Sequence, residues 1–324
     1  MNSPSGAFDV VGLGVSTADI LSLVDEFPQG EGVQQARCIT AQSGGPVATA
    51  MATVAKLGGQ AAMLDVVSDD WCGNLICSSF EQYGVSIDYL KRVPGKESAS
   101  ASVLVRSGDG LRAIAYSPGT VPSLQPDDVS EEIIARASIL HVNGRHWQAC
   151  LHACRLAHRN GTRVSFDGGA HRYAPYIRDL MPLVDICVVA QDFAFQDSGS
   201  RHPETAAEKF LACGPELVVI TNGLAGSRIF CRDGRSFSIP AFRMPTVVDT
   251  TGCGDSYHGA FLFGLTHGWS LEAAATLASA VAALNTRQLG GRAALPTLPE
   301  VAAFLAKRPR ELSAPVLPYL SGTV

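Results

Sequence analysis

The sequence predicts an α/β fold, a three-layer αβα sandwich with a mainly parallel central sheet. Six short apolar runs with turn residues near their ends are typical of strands that are buried on both faces. Segments of helical character lie between several of these runs, and such alternation favours parallel strands covered by helices. The predicted strands are residues 10–13, 62–67, 139–142, 163–166, 186–189 and 217–220, and the predicted helices are residues 46–57, 73–83, 146–160 and 204–212.

Residues at the ends of the predicted helices support this assignment. Pro46 suits the first position of a helix, Gly161 suits a C-terminal cap, and Ser270 is a good N-cap for an alanine-rich helix. Two stretches break the alternation, from about 20 to 41 and from about 97 to 116. They mix polar and apolar residues at near period two, with glycines in the connections, and so favour antiparallel strands.

Composition narrows the class of protein. The chain has 324 residues, 46% of them hydrophobic and 17% charged, which is enough for one large core or two modest ones. The net charge of −5 argues against the basic face that nucleic-acid binding usually needs. Nine scattered cysteines are more typical of a reducing compartment than of a disulfide framework. Residues 1–9 do not resemble an export signal, and the apolar segment 273–284 is too short to span a bilayer. We therefore expect a cytoplasmic protein with no nucleic-acid or membrane partner.

The most informative motif is DTTGCGD, residues 249–255. Gly252 and Gly254 let the backbone turn sharply and aim N–H groups at one point, and the apolar run that follows predicts a helix. An anion can therefore bind at the N-terminus of this helix. Asp255 opens the helix, where the dipole favours the ionised carboxylate and where it can take a proton from an attacking hydroxyl. An anion site beside a base indicates phosphoryl transfer.

DTTGCGD closely resembles the DTxGAGD signature of the ribokinase-like, or PfkB, family of carbohydrate kinases, with Cys253 in place of the usual alanine. The resemblance covers nearly the whole chain and implies a single ribokinase-like kinase domain, residues 1–324. It implies that residues from about 20–41 and 96–116 form a small discontinuous β-lid over the sugar, and that the lids of two subunits pair in a homodimer. ATP is the implied phosphoryl donor, with Mg²⁺ bridging its phosphates.

Cys253 allows two interpretations. At the start of a helix its thiol could become acidic and reactive. It could equally be a small residue that contributes only its backbone N–H, which is the interpretation that we favour. In that case the amides of Gly252, Cys253 and Gly254 hold the charge that develops on the transferred phosphoryl group.

A second glycine motif, Ser43-Gly44-Gly45-Pro46, precedes an apolar helix. It resembles the family's N-terminal glycine pair, which lets the backbone approach the sugar. Thr49 stands where the family commonly has an asparagine. Asp19 lies just beyond the first predicted strand, where family members place an aspartate that accepts hydrogen bonds from sugar hydroxyls. The alternative for the glycine motif is an ordinary loop before a helix. The alternative for Asp19 is an aspartate that caps or solvates the end of a strand.

The nucleotide site is expected in the C-terminal half. Thr221, Gly223 and Gly226 lie in a segment that resembles the family's nucleotide-binding turn after a core strand, and Thr251 is expected beside the phosphates. The Asn-x-x-Glu element that organises magnesium in the family is not present, because residues 190–193 read AQDF. We therefore assign no Mg²⁺ ligand.

A monovalent cation, K⁺, is a further implication of the resemblance. In the family such a site borders the residues that match Asp249 and Thr251, with backbone carbonyls near Gly290. The sequence is compatible with this site.

Arg145 is the best-placed candidate to bind an anionic group on the acceptor. It follows the predicted strand 139–142, and open α/β sheets bind ligands at the carboxyl ends of their parallel strands. Short likenesses to the ketohexokinase and sulfofructose kinase branches occur here and around Arg292. Asp167 and Arg172 follow another strand but depart from the Asp-x-Asn-x-Arg form usual there.

These features predict an ATP-dependent sugar kinase that phosphorylates a primary hydroxyl of a ketohexose or a related carbohydrate, with Asp255 as the general base. A nucleoside kinase and a sugar-phosphate kinase are the alternatives among kinases. A non-catalytic sugar-binding protein on a kinase fold is the alternative from another class. A nicotinamide-dependent oxidoreductase is disfavoured, since Gly12 and Gly14 are not followed by the third glycine of the dinucleotide fingerprint.

Overall fold

A large nine-stranded sheet forms the centre of the computed structural model, which describes residues 7–320. Its strand order is β13-β12-β11-β10-β9-β8-β1-β4-β5, and all neighbours are parallel except β11–β12 and β12–β13. The strands of this sheet are β1 Phe8–Leu13, β4 Ala61–Val67, β5 Leu90–Arg92, β8 Ala137–Val142, β9 Arg163–Gly168, β10 Ile186–Ala190, β11 Leu217–Thr221, β12 Ser227–Cys231 and β13 Ser236–Ile239.

Helices cover both faces of this sheet. One buried cluster joins it to α1, α2, α7, α8 and α9, and a second joins the opposite face to α3, α4, α5 and α6. The helices are α1 Pro46–Lys56, α2 Trp71–Tyr83, α3 Glu131–Ala135, α4 Trp147–Asn160, α5 Gln191–Ser198, α6 Pro203–Cys213, α7 Cys253–Thr266, α8 Leu271–Asn285, α9 Leu298–Leu305, α10 Arg310–Ser313 and α11 Leu317–Leu320. The predicted three-layer sandwich is confirmed.

The predicted ends of three helices are also found. Pro46 is the first residue of α1, and Gly161 caps α4 in the left-handed conformation with φ 73°. The hydroxyl of Ser270 accepts a hydrogen bond from the N–H of Ala273 at the start of α8. Each signal depends on only a few neighbouring residues, which explains why sequence was sufficient.

A separate four-stranded sheet has the order β3-β2-β6-β7 and forms the small lid. Its strands are β2 Thr17–Val24, β3 Cys38–Gly44, β6 Ser100–Arg106 and β7 Arg112–Ser117. The antiparallel prediction holds for the β2–β3 and β6–β7 pairs but is wrong for β2–β6, which are parallel. These two strands come from stretches about 80 residues apart in the chain, and alternation within a strand carries no information on a distant partner's direction.

Asp19 lies beyond the end of β1, as expected, and is part of β2. The antiparallel edge β12–β13 and the helix α5 are further elements that the sequence analysis did not identify. In the region that the structure describes, no helix is long and apolar enough to cross a membrane.

Helices α1 and α7 pack closely because a glycine lies between them. A Cβ atom placed on Gly259 of α7 would lie 2.3 Å from the carbonyl oxygen of Ala50 in α1, which is backbone and cannot rotate away. Gly254, in the first turn of the same helix, has no such neighbour within 4 Å. Gly259 therefore allows α1 and α7 to pack closely, whereas Gly254 has no role in helix packing.

We expect Gly259→Ala to lower the free energy of unfolding by about 1–3 kcal/mol, the usual cost of overpacking. The matched variant Gly254→Ala should fold with equal or greater stability, since alanine is the better helix former and its methyl group meets open space. Urea unfolding monitored by circular dichroism measures both. Equal stabilities for the two variants would contradict close packing at Gly259.

Candidate active site

The DTTGCGD loop turns into helix α7 at the edge of the sheet where the parallel strands end. Gly252 is the N-cap residue with φ 72°, and a Cβ atom there would lie 2.5 Å from the carbonyl oxygen of Gly291. Both the left-handed backbone and the close approach therefore require glycine. Asp255 lies in the first turn of α7, and the space beside Gly254 is open. The predicted base and cradle are thus adjacent in space.

Asp249 links this loop to a second one. Its carboxylate is buried and accepts hydrogen bonds from the N–H of Thr251 at 2.7 Å and from the N–H of Gly290 at 2.8 Å. The three residues predicted to border a monovalent cation are therefore in contact. The hydroxyl oxygen of Thr251 is buried without a hydrogen-bond partner. In a loop this enclosed, an unpaired oxygen is available to a ligand.

The Cys253 thiol does not have the surroundings of a reactive cysteine. Burial, together with the nearby carboxylates of Asp249 and Asp255, raises its pKa to about 12. The thiol is therefore protonated at neutral pH. This supports the interpretation that we favoured, a small neutral residue at the helix start. The Cys253 N–H makes a long hydrogen bond, 3.4 Å, to the carbonyl oxygen of Thr250.

The carboxylate of Asp255 has a pKa above its ordinary value. Burial is the largest cause, and Arg172, whose Nη2 lies 3.8 Å from Asp255 Oδ1, opposes it. The sequence analysis expected the helix dipole to favour the ionised carboxylate of Asp255. In the structure, loss of hydration has the largest effect on the pKa of this group. A raised pKa makes the carboxylate a better proton acceptor than a solvated aspartate.

A buried polar layer lies behind Arg172, and the sequence analysis did not find it. Arg172 Nη2 is 3.3 Å from Asp167 Oδ1, and Asp167 Oδ1 is 3.7 Å from His258 Nε2. His258 follows Asp255 by three residues, so both face the same side of α7. His141, on β8, lies near His258, with ring centroids 5.5 Å apart and ring planes at 50° to each other. The sequence signals were the spacing of Asp255 and His258 on one predicted helix and the position of Asp167 and Arg172 after a predicted strand.

Burial determines the charge of these groups. It lowers the pKa of His141 to about 3, and it also lowers the pKa of His258. Asp167 loses hydration on burial, but its pKa stays below the ordinary value because the positive charge of Arg172 outweighs that loss. The layer therefore contains neutral imidazoles and an ionised carboxylate at neutral pH.

The glycine pair lies directly beside Asp19. A Cβ atom on Gly44 would be 1.9 Å from Asp19 Oδ2, and Gly45 has φ 95° with its Cβ position 2.2 Å from the carbonyl oxygen of Val15. Burial raises the pKa of Asp19, and its Oδ1 is buried without a partner. Thr49, one turn into α1, is buried below. The predicted acceptor residues Asp19, Gly44, Gly45 and Thr49 therefore lie together.

Arg292 contributes to this group in a way that the sequence analysis missed. It is 2% exposed, and its guanidinium donates to Thr49 Oγ1 at 3.1 Å, Ser43 Oγ at 3.2 Å, Ser79 Oγ at 3.3 Å and the carbonyl oxygen of Gly44 at 2.7 Å. Burial lowers its pKa to about 10, so it remains charged. The hydroxyl of Thr49 is therefore bonded to a buried guanidinium.

The lid contacts the phosphoryl-transfer loop directly. Arg112 Nη1 donates to Thr250 Oγ1 at 3.1 Å, and Thr250 Oγ1 donates to the carbonyl oxygen of Gly110 at 2.8 Å. Arg145, beyond β8, donates through Nη2 to the hydroxyl of Tyr116 on β7 at 2.8 Å. Arg145 is therefore at the lid and not beside Asp255. No carboxylate in the described chain lies within 4.0 Å of the Arg145 guanidinium.

Thr221 is the last residue of β11, and Gly223 and Gly226 lie in the turn that leads from it to β12. This turn is at the same edge of the sheet as DTTGCGD but belongs to a separate loop. Gly226 has φ 86°, and its Cβ position is 2.1 Å from the carbonyl oxygen of Ile239, so the turn requires glycine there. Asp192, at the start of α5, accepts a hydrogen bond from the N–H of His171 at 2.7 Å. The Asp192 carboxylate therefore holds the loop that contains His171.

The family model described as pfkB family carbohydrate kinase matches residues 8–298. The chain belongs to this family. A relative named 5-dehydro-2-deoxygluconokinase, from Listeria monocytogenes, is 27% identical over 93% of this chain and 96% of its own length. The family and the enzyme class predicted from DTTGCGD, an ATP-dependent carbohydrate kinase, are confirmed.

Solved structures agree with the predicted ribokinase-like fold. An adenosine kinase from Sinorhizobium meliloti is 26% identical, with a TM-score of 0.81 over 93% of this chain and 100% of that one. A ribokinase from Arabidopsis thaliana complexed with ribose and ATP is 24% identical, with a TM-score of 0.80 over 92% and 98% of the two chains. At 24% identity, the similarity to this ribokinase supports the fold and not the substrate.

Replacing Arg172 should change the pH dependence of this kinase. Arg172 lowers the pKa of Asp255, so Arg172→Met should raise it further. A base must be ionised to act, and activity is lost as the pH falls through its pKa. We therefore expect the acid limb of the kcat/KM profile to move to higher pH in this variant.

The control is Arg178→Met, because the Arg178 guanidinium bonds Asp197 at the surface. Its acid limb should coincide with that of the parent. An acid limb in Arg172→Met that stays in place, or moves to lower pH, would show that Asp255 does not limit the rate at acidic pH.

Proposed function

We propose that this kinase transfers the γ-phosphoryl group of ATP to a primary hydroxyl of a sugar, a ketohexose or a related carbohydrate, with Asp255 as the general base. The observation that carries the proposal is the position of Asp255. It lies in the first turn of α7, beside the open space at Gly254, with its pKa raised by burial. A hydroxyl placed there meets a proton acceptor and a helix N-terminus together.

The first-turn amides of α7 support the phosphoryl group in this proposal. The first N–H groups of any helix lack intrahelical acceptors and attract negative charge. Gly252 and Gly254 present theirs at the open end of the helix, and Cys253 can exchange its long bond to Thr250 for a shorter one. Asp255 takes the proton of the attacking hydroxyl, while Arg172 offsets the negative charge nearby.

The donor site is proposed along the C-terminal half, from Thr251 to the turn of Thr221, Gly223 and Gly226. Mg²⁺ prefers oxygen ligands, and few protein carboxylates are free for it, since Asp249 and Asp192 already accept backbone hydrogen bonds. The nucleotide phosphates therefore hold the ion, which neutralises their charge when bound. The unpaired Thr251 hydroxyl supports a K⁺ site beside Asp249 and Gly290.

The acceptor site is proposed under the lid, where Asp19 Oδ1 is free to accept from a sugar hydroxyl. Gly44 and Gly45 admit the sugar close to the backbone, and Thr49 is backed by Arg292. Arg145 has no carboxylate partner within the described chain and can pair with an anionic group on the acceptor. Curated relatives named for 5-dehydro-2-deoxygluconate support including sugar acids in this class.

A nucleoside is the second candidate acceptor. Tyr116 stands opposite Ala101 on β6, and Ala101 stands opposite Asp19 on β2, so all three side chains share the inner face of the lid. Tyr116 is 43% exposed and Ile114, two residues earlier on the same strand, is 53% exposed. An aromatic and an aliphatic side chain on this face could hold a nucleobase, and the 26% identical adenosine kinase favours the same test.

Asp255→Asn should reduce turnover by about 10²–10⁴, the usual contribution of general-base assistance. Sugar binding should remain, because the amide keeps the size of the side chain. The measurement is ADP release from Mg·ATP over ketohexoses, pentoses, nucleosides, sulfonated sugars, sugar phosphates and sugar acids that include 5-dehydro-2-deoxygluconate. The control is Asp88→Asn, an exposed aspartate whose carboxylate accepts a hydrogen bond from the hydroxyl of Ser86, and this variant should keep full activity.

Each outcome of this assay selects one interpretation. Activity on a sugar that disappears only in Asp255→Asn supports the proposal, and activity on nucleosides alone supports the second candidate. Unchanged turnover in Asp255→Asn would remove the base from its role. ATP binding without turnover on any acceptor would favour a sugar-binding protein that kept the kinase fold.

We further propose a cytoplasmic homodimer that pairs through the outer face of the lid. Ile20 and Ile39, exposed by 45% and 65%, lie on this face together with Leu104, because Ile39 and Leu104 both stand opposite Ser22. Apolar side chains grouped on an exposed sheet face favour a covering partner. Because the family resemblance implies that the lids of two subunits pair, we propose a second copy of this chain as the partner.

Ile39→Lys should shift the chain from dimer to monomer, since an unpaired charge is costly to bury between two apolar sheets. Sedimentation velocity measures the change. Leu224→Lys replaces an apolar residue that is 73% exposed but far from the lid in the chain, and it should leave the dimer intact. A parent protein that sediments as a monomer at every concentration would rule out this dimer.

A further inference from the structure

Three potential metal ligands from three different elements meet beneath the proposed base. His141 comes from β8, Asp167 from β9 and His258 from α7, and one ligand atom of each lies within 4.8 Å of the others. Their exposures are 0%, 3% and 4%. Neither the proposed phosphoryl transfer nor nucleotide binding uses this cluster.

The cluster is unusual because each member has a polar atom that lacks a hydrogen-bond partner. The buried and unpaired atoms are His141 Nε2, Asp167 Oδ2 and His258 Nδ1. An unsatisfied buried polar group typically costs about 1–3 kcal/mol, and such groups are few in native proteins. Three such atoms in one enclosed cluster indicate that the cluster can take a ligand.

The neighbours of His141 hold it as metal-binding histidines are held. Its Nδ1 lies 3.1 Å from Ser165 Oγ, an acceptor for the Nδ1 proton. That tautomer leaves a lone pair on Nε2, the unpaired atom. A hydrogen bond on the other ring nitrogen is the usual support for a histidine ligand.

The type and spacing of the ligands select the class of metal. Two imidazoles and one carboxylate suit Zn²⁺, Co²⁺ and similar ions, whereas Mg²⁺ prefers oxygen ligands alone. His258 Nε2 and Asp167 Oδ1 are 3.7 Å apart. Two ligands about 2.0–2.2 Å from a tetrahedral ion lie roughly 3.3–3.6 Å apart, so a small movement closes this edge.

We propose that His141, Asp167 and His258 form a binding site for a divalent transition metal ion of the zinc type, separate from the Mg²⁺ that accompanies ATP. The three protein ligands leave a fourth position for water.

Occupancy of this site should inhibit phosphoryl transfer. The ion competes with Arg172 for Asp167, and Arg172 is also the cation 3.8 Å from Asp255. This consequence rests on the proposed role of Asp255, but the site itself does not. Repulsion from Arg172 weakens metal binding, so Arg172→Met should bind the ion more tightly than the parent.

The test is a Co²⁺ titration of the full chain after chelator treatment, followed by visible absorption and by displacement with Zn²⁺, without nucleotide or sugar. We expect one ion per chain with the strong d–d bands of a tetrahedral nitrogen and oxygen site. The nine cysteines are all free thiols, but a thiolate site would add a near-ultraviolet charge-transfer band that we expect to be absent. Because no turnover is measured, failure of the proposed function leaves this test intact.

Variants identify the ligands. His141→Gln and His258→Gln should lose the d–d bands, and His171→Gln, whose side chain is 90% exposed, should keep them. Ser165→Ala removes only a hydroxyl and should weaken Co²⁺ binding about 10–100-fold, so it remains informative if the glutamine variants fail to fold. Absence of the bands, their persistence in His258→Gln, or unchanged affinity in Ser165→Ala would each overturn the proposal. Thiolate bands alone would assign the metal to cysteines.

Discussion

Arg292 places a guanidinium in the interior, where each of its four hydrogen bonds goes to an uncharged oxygen. A buried charge is tolerated only when its donors are satisfied, and here the acceptors come from three segments. They are Ser43 and Gly44 of the glycine pair, Thr49 of α1 and Ser79 of α2. The acceptor side can therefore form only when these segments and the C-terminal loop meet together, and the charge that joins them lies below the proposed sugar.

The short loop before Arg292 joins the acceptor side to the phosphoryl-transfer side. Gly290 donates its N–H to the buried carboxylate of Asp249, and Gly291 leaves no space for a side chain at Gly252. A shift of this loop would move the glycine pair and the helix N-terminus together. The lid adds a third contact through Thr250, so one connected set of backbone and side-chain bonds joins the proposed acceptor site to the proposed phosphoryl-transfer site.

Two opposing effects set the pKa of Asp255, its loss of hydration and the positive charge of Arg172. Burial raises its pKa, and the same burial makes the nearby Arg172 charge effective in lowering it. Arg172 is held by Asp167, which in turn lies against two neutral imidazoles. The pKa of the proposed base therefore depends on Arg172 and, through it, on Asp167, so an ion bound at the proposed metal site would act on turnover through these residues.

Sequence alone determined the α/β class, the principal strands and helices, the lid segments and the DTTGCGD cradle, because each depends on local periodicity, caps or glycines within a few residues. Through the family resemblance it also predicted that Asp19, Gly44 and Thr49 contact the sugar, and the structure places these three residues together. Only the tertiary structure decided that β2 and β6 run parallel, that Arg292 lies beneath Thr49, that Arg145 reaches the lid, and that His141, Asp167 and His258 meet. The physical reason is that these contacts join residues far apart in the chain, and their energy comes from burial, which no local pattern records.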